Sequence, residues 1–175
     1  FAMGTSLSQH SAITCLQKHY DHRKITDYFK YYNIESNVWA SIGMSSNELK
    51  KLYHISQNLH HSPNICIDIA NGYTDKFVEW CAEVRDQFPD SIIMAAHGLK
   101  SDEKRMGLIC ADGGCRTPAD VCKAYAAGAD FVMLGGMLAG TDECEGDWEY
   151  DLDDEGKEYK THLSFYGMSS TKAQE

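Results

Sequence analysis

Two short runs hold the residues best suited to chemistry. Cys110-Ala-Asp-Gly-Gly-Cys115 and Val132-Met-Leu-Gly-Gly136 are each an apolar strand candidate closed by a glycine pair, and the first carries a carboxylate, Asp112, at its tip. Glycines at a strand's carboxyl end expose backbone N–H groups. With a following helix N-terminus, such groups hold a phosphate at the C-terminal face of a (β/α) barrel. Gly113, Gly114, Gly135 and Gly136 are the candidate donors, because a side chain would block close approach. Asp112 beside them can accept from the two hydroxyls of a ribose. A single glycine pair marks nothing beyond a strand-to-helix turn. Two pairs on consecutive strands, one next to a carboxylate, point to a phosphorylated ligand. Cys115 follows the first pair, but the sequel Arg116-Thr-Pro118 places no histidine near it to form a Cys–His pair, so it reads as structural.

These residues need a parallel sheet to position them, and the pattern supplies one. Strands are expected at Ser11–Cys15, Val38–Ile42, Ile65–Ile69, Ser91–Ala95, Leu108–Ala111 and Asp130–Leu134. Helices alternate with them. One spans Lys24–Tyr32. A second opens on Ser45-Ser-Asn-Glu48, a capping-box pattern, with Leu49, Leu52, Ile55 and Leu59 on one face. Thr74 caps a third, which carries Phe77, Cys81, Val84 and Phe88 and ends before Pro89. Thr117-Pro118 starts a fourth and Gly128 ends it. The His60-His61 doublet is expected to close a helix C-terminus. Six strands alternating with helices indicate an α/β fold, a (β/α)8 TIM barrel with about six of its eight strands present, and a single domain over residues 1–175. At 175 residues the chain is short for the ~250 that such a barrel usually takes.

One interval breaks the alternation. Only twelve residues, 96–107, separate the fourth strand from the fifth. A parallel crossover with its helix needs at least ~10–12 and usually more. Ala96-His-Gly98 reads as a helix ending with no room for the helix. The spacing predicts that Ala95 and Ala96 are not covalent neighbours and that a segment is missing between them; a short hairpin-like link is the alternative. Further on, ten Asp or Glu residues lie between Asp142 and Glu158. Within that run Trp148, Tyr150 and Leu152 alternate with polar residues, as do Tyr159, Thr161, Leu163 and Phe165 across Asp153-Asp-Glu-Gly156. That is an acidic β-hairpin, expected near 141–164, returning the chain at Phe165-Tyr-Gly-Met-Ser-Ser170.

The net charge of −10 and pI near 5.2 argue against nucleic acid or an anionic membrane as partner. No run reaches the ~18 apolar residues of a spanning helix. Seven cysteines, an odd number placed mostly within apolar elements, suit a reducing cytoplasm better than a disulfide framework. Cys110, Cys115 and Cys122 lack zinc-ligand spacing, so no metal site is expected from the residues present.

Six stretches in the right order resemble the IMP dehydrogenase/GMP reductase family. They are Ser8-Gln-His-Ser11 running to Lys18-His-Tyr20, Cys66-Ile-Asp-Ile-Ala-Asn-Gly-Tyr73, Ile92-Ile-Met-Ala95, Asp112-Gly-Gly-Cys115, Gly128-Ala-Asp-Phe-Val-Met-Leu-Gly-Gly-Met137 and Phe165-Tyr-Gly-Met-Ser-Ser170. The second and last are similar to the family's reductases: dehydrogenases carry serines after the aspartate and read Tyr-Arg-Gly-Met-Gly-Ser in the last loop.

That resemblance implies an oxidoreductase that deaminates GMP reductively to IMP, releasing ammonia and consuming NADPH. It gives Asp112 the ribose of the nucleotide, and it gives Gly113, Gly114, Gly135 and Gly136 the phosphate. Gly167, Met168 and Ser169 would line the nucleotide, with Met168 against the base and also near the cofactor. Lys18, Asp68, Ile69 and Ala70 would meet NADPH. The family's nucleophilic Cys, its Thr and the carbonyls of a monovalent-cation (potassium) site belong to the segment missing after Ala95, so no catalytic residue is expected among those present. A cytoplasmic homotetramer is implied as well. The alternatives are an IMP dehydrogenase, or a non-catalytic purine-nucleotide-binding remnant of the family.

Overall fold

The structure, a computed structural model, describes residues 1–32, 37–69, 72, 74–95 and 108–166. Ala70, Gly167, Met168, Ser169 and the junction after Ala95 lie outside them. The chain divides into two compact units, one on each side of the stretch around residues 106–107.

The first unit is a parallel sheet under helices. Its strands are β1 (Thr14–Leu16), β2 (Val38–Ile42), β3 (Ile65–Ile67) and β4 (Ile93–Ala95), in the order β1-β2-β3-β4. Register runs Thr14 with Val38, Ala40 with Ile65 and Ile65 with Ile93, so all four carboxyl ends lie at one edge. All five residues of the central β2 are buried. Val38, Ala40 and Ile42 join the hydrophobic cluster under the helices, and Trp39 and Ser41 alternate to the other face.

The helices contribute apolar stripes at helical spacing. They are Ile25, Tyr28 and Phe29 on α2 (His22–Tyr32), Leu49, Leu52 and Ile55 on α3 (Ser46–Ser56), and Phe77 and Val84 on α4 (Asp75–Gln87). Thr74 caps α4 as expected, its hydroxyl accepting from Phe77 N at 3.3 Å. Thr74→Ala should therefore lower stability by about 1 kcal/mol, read as a shift in urea midpoint at constant slope.

Several boundaries differ from expectation for local reasons. A helix that the sequence reading did not anticipate, α1 (Ala2–Ser8), occupies the start. Its closing turn, with Ser11 N donating to Ser8 O and Ser11 at φ 57°, holds residues expected in the first strand and delays β1 to Thr14. Gly4 lets α1 dock, since a Cβ there would lie 2.7 Å from the Tyr28 hydroxyl. The capping box of α3 does not form. Ser45 occupies the N-cap without a side-chain hydrogen bond, and Glu48 turns instead to Gly43 N at 3.4 Å and Lys51 Nζ at 3.6 Å. The Lys51 ammonium, on a side chain only 10% exposed, draws the carboxylate away from the cap position. The His60-His61 pair closes no helix: α3 ends at Ser56 with Gln57 as its cap.

The second unit pairs β5 (Cys110–Asp112) with β6 (Phe131–Met133) in parallel, and α5 (Pro118–Ala126) connects them. Asp120 reaches back over the start of α5. It accepts from Thr117 Oγ1 at 2.9 Å, Thr117 N at 3.0 Å and Arg116 N at 3.2 Å. The Thr117 hydroxyl first, then Lys123 and these N–H groups, hold its carboxyl well below the usual carboxylate range. The acidic hairpin forms as expected from β7 (Trp148–Leu152) and β8 (Glu158–Leu163), antiparallel across Asp153–Gly156. The fold is α/β with parallel sheets. All seven cysteines are free thiols.

Candidate functional site

In the first unit, Lys18 leaves β1, Ser41 sits near the end of β2, and Asp68 is the first residue beyond β3. Parallel register therefore brings them to the same sheet edge. Asp68 is fixed by its own N–H, which donates to Ile42 O at 2.8 Å. Lys18 Nζ donates to Asp68 O at 3.3 Å and lies 3.6 Å from Asp68 Oδ2. Two residues that the resemblance assigned separately to the cofactor thus contact each other. Ile69 follows, half-buried against the core. The pair remains partly exposed, at 28% for Lys18 and 37% for Asp68, so an ammonium with a proton to spare and a carboxylate stand together in reach of solvent. That chemistry fits a phosphate beside a ribose hydroxyl.

The sequence reading passed over Lys51. From α3 its Nζ donates to the carbonyls of Lys18 and Ser41, the latter at 3.2 Å, and lies beside Glu48. Burial pushes its pKa below the ordinary lysine value, and the Glu48 carboxylate opposes that shift. The signal available in the sequence was the i,i+3 pairing of Glu48 with Lys51 next to the Leu49–Leu52 stripe. A separate groove of about 220 Å³ opens among His22, Arg23, Thr26, Lys30, His54 and Asn58, and it contains none of Lys18, Lys51 or Asp68.

In the second unit, Asp112 pairs with Met133 in the ladder, so Gly113-Gly114 and Gly135-Gly136 leave the same edge of one sheet. Gly113 and Gly114 have φ of +85° and +83°, a left-handed conformation that favours glycine, although a Cβ there would meet nothing. Backbone shape, not crowding, requires them. Gly136 opens a 3₁₀ turn to Leu138. A Cβ on Gly136 would stand 3.6 Å from the Phe165 ring, so the segment returning from the hairpin meets the second glycine pair. The hairpin's base is tied to that turn: Cys144 Sγ and Thr141 Oγ1 both donate to Leu138 O, and Trp148 Nε1 donates to Cys144 O. The Asp112 carboxylate is exposed and has no hydrogen-bond partner among the described residues. Cys115 is half-buried. No group of three metal-ligating side chains occurs among the described residues. No helix described is long and apolar enough to cross a membrane.

Residues 91–175, which include both glycine pairs and Asp112, match the model of the IMP dehydrogenase / GMP reductase domain. That match covers 85 of the chain's 175 residues. Similarity to proteins of the family extends over the rest of it. Human GMP reductase 1 is 34% identical across 99% of this chain and 62% of its own length. GMP reductases of Vibrio atlanticus and Caenorhabditis elegans are 32% and 31% identical over 99% of the chain. Among solved structures, the inosine 5′-monophosphate dehydrogenase of Legionella pneumophila shares the fold, with a TM-score of 0.74 at 24% identity over 99% of this chain and 64% of that one. The chain spans about 62% of the length of the curated relatives it matches. The two matches run over 230 and 221 positions against 175 residues, a difference of at least 46, so the relatives carry residues inside the matched span that this chain lacks.

Proposed function

We propose that this protein binds GMP and NADPH in the manner of a GMP reductase and, when complete, converts GMP to IMP. In balance, GMP, NADPH and two protons would give IMP, NADP+ and ammonium, the purine C2–amino bond being exchanged for a C2–hydrogen bond. The observation that carries the reading is the pairing of β5 with β6, which sets two glycine pairs at one sheet edge with Asp112, whose carboxylate has no hydrogen-bond partner among the described residues. The glycine N–H groups hold the nucleotide phosphate and Asp112 its ribose. Gly167, Met168 and Ser169 follow Phe165, whose ring already meets Gly136. On the cofactor side, Lys18 offers its ammonium to an NADPH phosphate and Asp68 its carboxylate to the nicotinamide ribose, with Ile69 and Ala70 following. NADPH supplies the hydride; these residues bind and orient it. We place both units in one (β/α) barrel domain, in a cytoplasmic homotetramer. The potassium ligands would fall in the absent segment, and no step is drawn through that ion.

Protein that contains the segment between residues 95 and 96 is expected to lower absorbance at the reduced-nicotinamide band when given GMP and NADPH, and to leave NAD unreduced when given IMP. A rise with IMP and NAD would transfer the assignment to the dehydrogenase. Silence in both assays would remove the enzyme reading. The shortfall of at least 46 positions favours a second reading for the chain as it stands: a nucleotide-binding remnant that holds GMP without turnover.

A further inference from the structure

An ammonium has three protons, and Lys51 places its own among acceptors from three different elements. These are the Lys18 carbonyl in the loop after β1, the Ser41 carbonyl of β2 and Glu48 in the first turn of α3. Its side chain is only 10% exposed. We propose that Lys51 is a positioning residue: it pins the loop after β1 so that Lys18 meets Asp68, and it thereby sets the affinity of this sheet edge for NADPH. This rests on the reading of Lys18 and Asp68 as cofactor contacts.

The argument is geometric. Lys51 touches the backbone of Lys18, not its ammonium, so it governs where the Lys18 side chain starts. From that start Lys18 Nζ spans to Asp68 O at 3.3 Å, a residue fifty positions away that is itself fixed to Ile42. Fixing Lys18 at its carbonyl removes the ordering cost that a mobile loop would add on binding. Removing Lys51 alone also strips Glu48 of its cation, so the loss of fold stability has to be read separately from the loss of loop position. The lowered pKa agrees: desolvation outweighs the Glu48 charge.

The test uses NADPH fluorescence titration, GMP titration and amide hydrogen exchange on the full chain and on Lys51→Met. NADPH affinity should fall by about tenfold, the scale of one charge-assisted hydrogen bond, while GMP affinity holds. Exchange should rise in residues 17–21 and stay slow in residues 38–42 and 65–67. Lys51→Arg, which keeps the cation and its donors, should restore NADPH binding. If Lys51→Met does not fold, Lys51→Gln is read in its place. Equal weakening of both ligands with protection lost across β2 and β3 would make Lys51 merely structural, and unchanged NADPH affinity with unchanged exchange would overturn the proposal. Failure of the unmodified protein to bind NADPH sinks the cofactor reading instead. Exchange at residues 17–21 then decides alone whether Lys51 holds the loop.

Discussion

Asp112→Ala leaves both sheets folded and weakens GMP binding by about ten- to a hundredfold. The magnitude is that of hydrogen bonds to a charged acceptor, ~1.5–3 kcal/mol. The sparing of the fold follows from the surroundings. Asp112 ends β5 with its carboxylate exposed and without a hydrogen-bond partner among the described residues, so truncation orphans nothing. Asp130, at the start of the neighbouring strand, is the useful contrast. Its Oδ2 accepts from Ile109 N at 2.8 Å, which fastens the entry to β5. Asp130→Ala should therefore cost stability, whereas Asp112→Ala should cost affinity. Calorimetric titration with GMP checks the claim beside thermal unfolding of both variants. Unchanged affinity in Asp112→Ala removes that residue from the ribose site.

The geometry of β5 and β6 was legible because it is local. Glycine pairs at strand ends, an adjacent aspartate and a Thr-Pro helix start are properties of neighbours in sequence, and the structure keeps them at one edge through a three-residue ladder. The helix stripes of α3 and α4 were legible for the same reason, since a 3.6-residue period identifies the buried face before any packing is known. What failed depended on contacts across the chain. Glu48 matched a capping box, but Lys51, drawn inward by carbonyls at positions 18 and 41, takes its carboxylate. Lys51 itself was passed over, because nothing on its own helix announces the two carbonyls. α1 escaped because its docking depends on Tyr28, whose hydroxyl donates to Phe1 O at 2.9 Å. The Lys18–Asp68 contact was not legible, since no spacing rule links residues fifty positions apart; the resemblance named the two residues only separately.

The largest effect expected is all or none. Protein from the native source should have an intact mass above 19.6 kDa, and only that longer form should turn GMP over. Two independent lengths support this. Twelve residues between the fourth and fifth strands are too few for the usual crossover, and the matched relatives exceed this chain by at least 46 positions inside the aligned span. The sheets agree in place: one ends on β4 at Ala95, and the next begins on β5 at Cys110. At this chain's own average of 19.6 kDa for 175 residues, 46 residues weigh about 5 kDa. The consequence for chemistry is direct. The half-buried Cys115 has no histidine in its local sequence to activate it, and on the proposed reading the nucleophile belongs to the further segment. The glycine pairs and Asp112 of the 175-residue chain nevertheless remain, so that chain should bind GMP and oxidise no NADPH. Mass spectrometry and the two nicotinamide assays on the same preparation read both halves of the claim. A mass of 19.6 kDa with full turnover would show that the chemistry needs no further segment and that a residue already present, Cys115 first among them, carries it.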